Sequence, residues 1–140
     1  MKRIVVDTNV FISALRSTRG ASYRLLMMIG KADFEIAVSV PLVLEYEDVA
    51  KRMLAEIGLG AADVDDVIDY LCAAAHRREI HFLWRPFLND PRDDHVLELA
   101  VEAGCEAIVT HNVRDFHGAD QFGIRVLGPA EFLESIGGTS

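Results

Sequence analysis

The chain has 140 residues, enough for one domain with a sizeable core, and its formal charge is −8 at pH 7. A charge of that sign excludes nucleic-acid binding by bulk electrostatics, although it permits a site where carboxylates gather around a cation. Half of the residues are apolar, yet every apolar run is far shorter than the roughly 20 residues that a membrane span needs.

Taken in chain order, residues 3–6 read as a strand whose continuous apolar run, Ile4-Val5-Val6, suits burial on both faces. The run stops at a carboxylate, Asp7. Helical patterns follow at 10–15 and 21–29, split by Ser17-Thr18-Arg19-Gly20. Met27, Met28 and Phe34 occupy core-like positions. A second strand is expected over 34–38, and a helix over 41–54 opened by Pro41. Gly58-Leu59-Gly60 ends that segment, and a helix is expected over 61–75. A short third strand is expected over 79–83, reached before Trp84 and Phe87, which read as packed aromatics. A helix over 90–103 follows, with Gly104 as its C-terminal cap. Further strands are expected at 106–110 and 124–127, and a closing helix at 129–136. The chain begins Met1-Lys2-Arg3 and enters a strand at once, which does not read as a signal peptide. Cys72 and Cys105 have no metal-type spacing and read as core thiols of a reducing compartment, the cytoplasm.

Strands that alternate with helices imply right-handed crossovers. The expected fold is therefore α/β, a three-layer α/β/α sandwich on a short parallel sheet of four to five strands, with residues 1–140 forming a single domain. In such folds ligands bind outside the carboxyl ends of the strands. The side chains expected there are mostly acidic: Asp7 after strand one, Glu45 one turn into the helix after strand two, the "DPRDDH" segment after strand three, and Asn112 and Asp115 after strand four. Crowded carboxylates repel one another unless a cation neutralises them. Hard ions such as Mg²⁺ or Mn²⁺ prefer oxygen ligands, and they serve phosphodiester hydrolysis. Asp7 thus ends its strand because it stands at the crevice.

The stretches "VVDTNVFISAL", "SVPLVLEYEDVAKRM", "DPRDDHVLELAVEAGCEAIVTHNVRDF" and "VLGPAEFLE" resemble a PIN domain over nearly the whole chain. They most resemble the PIN toxins of bacterial toxin–antitoxin pairs, the group that includes the VapC toxins. The resemblance implies a metal-dependent endoribonuclease acting on single-stranded or structured RNA, with Mg²⁺ or Mn²⁺ as cofactor. It places the family's acids on Asp7, Glu45 and Asp93, with a last region at Asn112 and Asp115. Many PIN domains carry Asp where this chain has Asn112. It also implies a small antitoxin from a neighbouring gene and a homodimer, for which the apolar helical region 41–75 offers a face.

Other residues receive supporting readings. Asn9 reads as a turn or cap residue that holds Asp7, and the Thr110 hydroxyl as one that faces the crevice and orients water or a phosphate. Arg16, Arg19 and Arg114 are the candidate contacts to RNA phosphates. His76, His81, His95, His111 and His117 lack the clustering that zinc chemistry wants and read as surface residues, with His111 closest to substrate. Along the helix, Asp93 shares a face with Val96, Leu97 and Ala100, and Asp94 shares one with Glu98 and Glu102. The first stripe is expected to be buried and the second solvated, which favours Asp93 as the ligand. Two alternatives stand beside the nuclease. One is a catalytically inactive PIN-like interaction module. The other is a haloacid-dehalogenase-type phosphatase, for which Asn9 stands where a second Asp is needed. A receiver domain would need a late Lys, and none follows Lys51.

Overall fold

The computed structural model describes residues 2–77 and 94–137. Among the described residues the sheet has five strands, and the first, β1 (Lys2–Val6), is central in it. Its β-branched residues Ile4 and Val5 are fully buried, as a strand covered on both faces requires. The helices α1 (Thr8–Arg16) and α2 (Ala21–Met28) lead to β2 (Phe34–Val38). Then come α3 (Val40–Arg52), α4 (Leu54–Ile57) and α5 (Ala61–Ala74), followed by the two-residue β3 (His76–Arg77). From residue 94 onward come α6 (Asp94–Glu102), β4 (Ala107–Val109), two 3₁₀ turns (Val113–Phe116 and Ala119–Phe122), β5 (Arg125–Leu127) and α7 (Pro129–Ser135).

The strand order is β3-β2-β1-β4-β5 and every pairing is parallel. Ile4 lies opposite both Ile36 of β2 and Ala107 of β4, so β1 is paired on both sides. The chain winds outward from β1 through β2 to β3, and then crosses back to β4 and β5. The reversal opens a crevice between the carboxyl ends of β1 and β4, where such sheets bind ligands. Helices flank the sheet in the three-layer arrangement that the sequence pattern predicts.

Local chemistry accounts for the element ends. The Ser39 hydroxyl accepts from the Leu42 amide at 3.3 Å and caps α3, with Pro41 in its first turn. Gly104 takes φ +67° and ends α6, while the Cys105 amide reaches back to the Ala100 carbonyl at 2.8 Å. Phe34 packs edge-on against Phe132, with ring centroids 5.2 Å apart, tying β2 to α7.

Three expectations change, and one lies outside the described residues. Helix α1 begins at Thr8, two residues earlier than the apolar pattern suggests. Met27 is exposed rather than in the core. A strand occurs at His76–Arg77, while the one expected at 79–83 lies outside the described residues, as do Trp84, Phe87 and His81. The largest change concerns α6. Asp94 and Glu98 are only 8% and 7% exposed, so the stripe expected to be solvated is buried. The reason is packing on more than one side: α6 contacts β1, β2 and β4 and also α3. Only Glu102, at the helix end, is partly exposed.

Candidate active site

Strand β1 delivers Asp7 to the crevice in a fixed pose. The Asp7 amide still belongs to the ladder and donates to the Val109 carbonyl at 2.9 Å. Its side chain caps α1, with Oδ1 accepting from the Thr8 amide at 2.9 Å. Its other oxygen, Oδ2, accepts from the Thr110 hydroxyl at 2.7 Å. Asp7 is therefore the helix cap, the role that the sequence suggests for Asn9. Asn9 instead lies in the first turn of α1 and bridges to the end of β4. Its Nδ2 donates to Thr110 Oγ1 at 3.3 Å, and its Oδ1 accepts from the His111 amide at 3.1 Å.

Thr110 is fully buried. Its hydroxyl also accepts from the Asn112 amide at 3.0 Å. The hydroxyl is thus occupied by Asp7, Asn9 and Asn112 rather than open to substrate, and what it orients is the Asp7 carboxylate.

Helix α3 brings Glu45 to the same place. The Thr8 hydroxyl donates to the Glu45 carboxylate, so one threonine serves both acids, through its amide and through its hydroxyl. The next residue, Tyr46, anchors the helix. Its ring stacks on Phe11 with centroids 4.5 Å apart, and its buried hydroxyl donates to the carbonyl of Val6, the residue before Asp7. His95 of α6 approaches from a third element, with Nε2 3.6 Å from Glu45 Oε1. Its Nδ1 is buried and has no hydrogen-bond partner among the described residues. His95 is half-buried at the site rather than a surface residue.

The electrostatics follow from this crowding. Burial pushes the Asp7 carboxyl above its ordinary range, and the Glu45 charge adds to the rise; the hydrogen bonds from Thr110 and the Thr8 amide, and the proximity of His95, pull the other way. The Tyr46 phenol is held well above its usual range by burial, and next by the charges of Asp7 and Glu45, so it stays a donor.

The crevice has a volume of about 440 Å³ and is walled by Asp7, Asn9, Glu45, Asn112, Asp115 and Arg16, among others. Asp7, Glu45 and Asp115, far apart in sequence, are thus brought together. Arg16, at the end of α1, lines the crevice as well. Arg19 is exposed in the α1–α2 loop and is not part of the wall, and Arg114 lines a separate cleft beside β5. Asp93 lies outside the described residues. Among the described residues no three His, Cys, Asp or Glu side chains converge closely enough to enclose a metal ion. What they supply is an open, oxygen-rich wall with two electrostatically coupled carboxylates. That donor chemistry fits a hard divalent cation that keeps several of its waters.

Sequence reasoning missed Thr8, Tyr46 and His95. Thr8 was visible as the residue after the strand-end acid, where a hydroxyl reads equally well as a cap. Tyr46 and His95 carried no signal beyond adjacency to Glu45 and Asp94.

A parallel α/β sandwich with an acid-lined crevice at its switch point is the class that this fold and site define. Within that class the chain belongs to the PIN domain family, whose model matches residues 3–114. No curated protein matches the chain by sequence. Among solved structures, the chain is similar in fold to the crystal structure of VapBC2 from Rickettsia felis bound to a DNA fragment from their promoter. The TM-score is 0.59 at 12% identity, over 89% of this chain and 98% of that one. Among the described residues no helix is long and apolar enough to cross a membrane.

Proposed function

We propose that this PIN domain is a metal-dependent endoribonuclease and the toxin of a toxin–antitoxin pair. The observation that carries the reading is the pairing of buried Asp7 with Glu45 at the carboxyl edge, both held by Thr8 and with Asp7 fixed again by Thr110. An acid kept in place against its own burial penalty suits a cation partner.

Asp7 and Glu45 would hold Mg²⁺ or Mn²⁺, with Asp115 on the same wall reaching the ion through its waters and Asp93 as the further acid that the family resemblance supplies. When bound, such an ion polarises the phosphodiester, lowers the pKa of an attacking water and stabilises the leaving oxygen. The protein's own part is positioning. Thr110 and the Thr8 amide fix both Asp7 oxygens in one orientation. The Thr8 hydroxyl fixes Glu45 relative to Asp7, and Tyr46 locks α3 to the end of β1. Arg16 supplies positive charge at the wall, where an RNA phosphate approaching a protein of charge −8 needs local attraction.

The fold likeness to VapBC2 supports an antitoxin as partner; a small one whose basic or aromatic residues enter the acidic crevice would complement the charge of Asp7 and Glu45. Exposed Leu44 on α3 and Tyr70 on α5 support a homodimer through the region 41–75. The phosphatase alternative weakens, because Asn9 is hydrogen-bonded to Thr110 and His111 and has no proton to give a leaving group. The test is incubation of the purified chain with single-stranded RNA and Mg²⁺ or Mn²⁺, with chelator as control. Internal cleavage that needs the metal is expected. RNA left intact under every metal condition would favour the inactive interaction module.

A further inference from the structure

A second cleft, of about 650 Å³, adjoins the crevice and shares Ser13, Arg16 and His111 with it as lining residues. Its remaining wall comes from the start of α2 and the start of α7, including Ser22, Ala130 and Glu131. His111 stands at the junction. Its amide is held by Asn9 at 3.1 Å, while its Nε2 lies 3.0 Å from Ser13 Oγ and 3.3 Å from Ser22 Oγ. Ser22 is buried, so the imidazole is clamped between α1 and α2 although it is exposed to solvent. A continuous set of hydrogen bonds therefore runs from Asp7 through Thr110, Asn9 and His111 to Ser22. The α2 cap, Gly20, offers no side-chain hydrogen bond to the first turn. Arg16, with a guanidinium, and His111, with an imidazole, line both clefts. Among the described residues Glu131 is the only carboxylate that lines the second one, and it is exposed.

We propose that this second cleft is a subsite for the backbone phosphate of the nucleotide next to the scissile bond, with Arg16 and His111 as the contacts shared between the two phosphates. The inference rests on the nuclease reading of the crevice. Chemically, an anion is favoured by the Arg16 guanidinium and the His111 imidazole, both of which line the two clefts. Geometrically, a single-stranded backbone that places one phosphate at Asp7 must leave the crevice by some route. The opening that shares three lining residues with it is the route on the page. Phosphate contacts of this kind set register rather than sequence.

The test titrates the full chain, in Ca²⁺ to prevent turnover, with a uridine dinucleotide carrying one phosphate and a trinucleotide carrying two. Backbone amide NMR signals report both affinity and place. The dinucleotide is expected to shift Asn9 and Asn112 together with the shared Arg16 and His111, and to leave Ala130 unmoved. The trinucleotide is expected also to shift Ser22 and Ala130 and to bind about tenfold more tightly. Ala130→Trp, at an exposed position, should erase that gain by filling the cleft. Glu131→Lys should enlarge it, which keeps the test decisive if the tryptophan variant folds poorly. Inorganic phosphate alone should not reproduce the trinucleotide shifts; if it does, and the third nucleotide adds no affinity, the cleft is a free-anion site and the inference falls. A gain that survives Ala130→Trp, or a trinucleotide that binds no better, overturns the subsite while leaving the nuclease reading intact. Oligonucleotides that shift no crevice residue would overturn the nuclease reading and the subsite with it.

Discussion

Thr110→Val removes one oxygen at a fully buried position and changes the side-chain shape little. The lost hydroxyl donates to Asp7 at 2.7 Å and accepts from the Asn112 amide and the Asn9 side chain. Asn112 is exposed and finds water in the variant, so its share of the cost is small. The bond to Asp7 is the expensive one, because a hydrogen bond to a charged group contributes about 1.5–3 kcal/mol and its loss leaves a buried carboxylate short of a donor. A net loss of about 2 kcal/mol lowers the melting temperature of a domain of this size by roughly 6–10 °C. The sign of the pH dependence also follows. The Asp7 carboxyl is already raised above its unfolded value by burial, and Thr110 opposes that rise. A raised carboxyl destabilises the fold in its ionised form, so the contribution present at low pH is lost as pH rises through the folded pKa. Without Thr110 the folded pKa rises further. The stability gap between wild type and variant therefore widens as pH rises through the Asp7 titration, and the acid limb of the activity profile moves to higher pH. Thermal denaturation in chelator across that range measures the gap. A gap independent of pH, or no gap at all, would refute the role given to Thr110.

Asp7→Asn removes a charge that burial and Glu45 both disfavour, so the metal-free variant should melt higher than wild type while losing cleavage; a lower melting point in chelator would contradict the electrostatic reading. Tyr46→Phe keeps the stack on Phe11 but drops the bond to the Val6 carbonyl. It should cost about 1 kcal/mol and lower kcat more than it raises KM, and an unchanged melting point and kcat would remove Tyr46 from the positioning of Glu45. Asp93→Asn should leave the fold intact and reduce cleavage by orders of magnitude, whereas Asp94→Asn, at a buried position, should lower the melting temperature first. A stable, inactive Asp94→Asn beside an active Asp93→Asn would move the ligand to Asp94.

Much of the architecture was legible because the chain states it locally. The apolar run ending at Asp7, Pro41 opening a helix and Gly104 closing one are decisions made by a few adjacent residues, and each is found where those residues place it. That Asp7, Glu45 and Asp115 line one crevice was legible for the same reason, since the strand ends fix which segments reach it, while Asp93 lies outside the described residues. What failed was anything set by packing on a second side. The reading of Asp94 and Glu98 as a solvated stripe assumed that α6 has one buried face, and contact with α3 as well as the sheet buries both residues. The role of Asn9 failed because its partners lie about a hundred residues away in sequence, at Thr110 and His111, and no local pattern names them. Met27 and Met28 read alike in sequence, yet only Met28 packs on the core, because adjacent helical residues point in different directions.

The central claim is that Asp7 and Glu45 stand where they do in order to share a divalent cation. Calorimetric titration of wild type and Asp7→Asn with Mn²⁺ tests it without reference to any substrate. Saturable binding by the wild-type chain, accompanied by a rise in melting temperature and absent from a folded Asp7→Asn variant, is the predicted result. Equal Mn²⁺ binding by both proteins, or none by the wild type at millimolar metal, would contradict it.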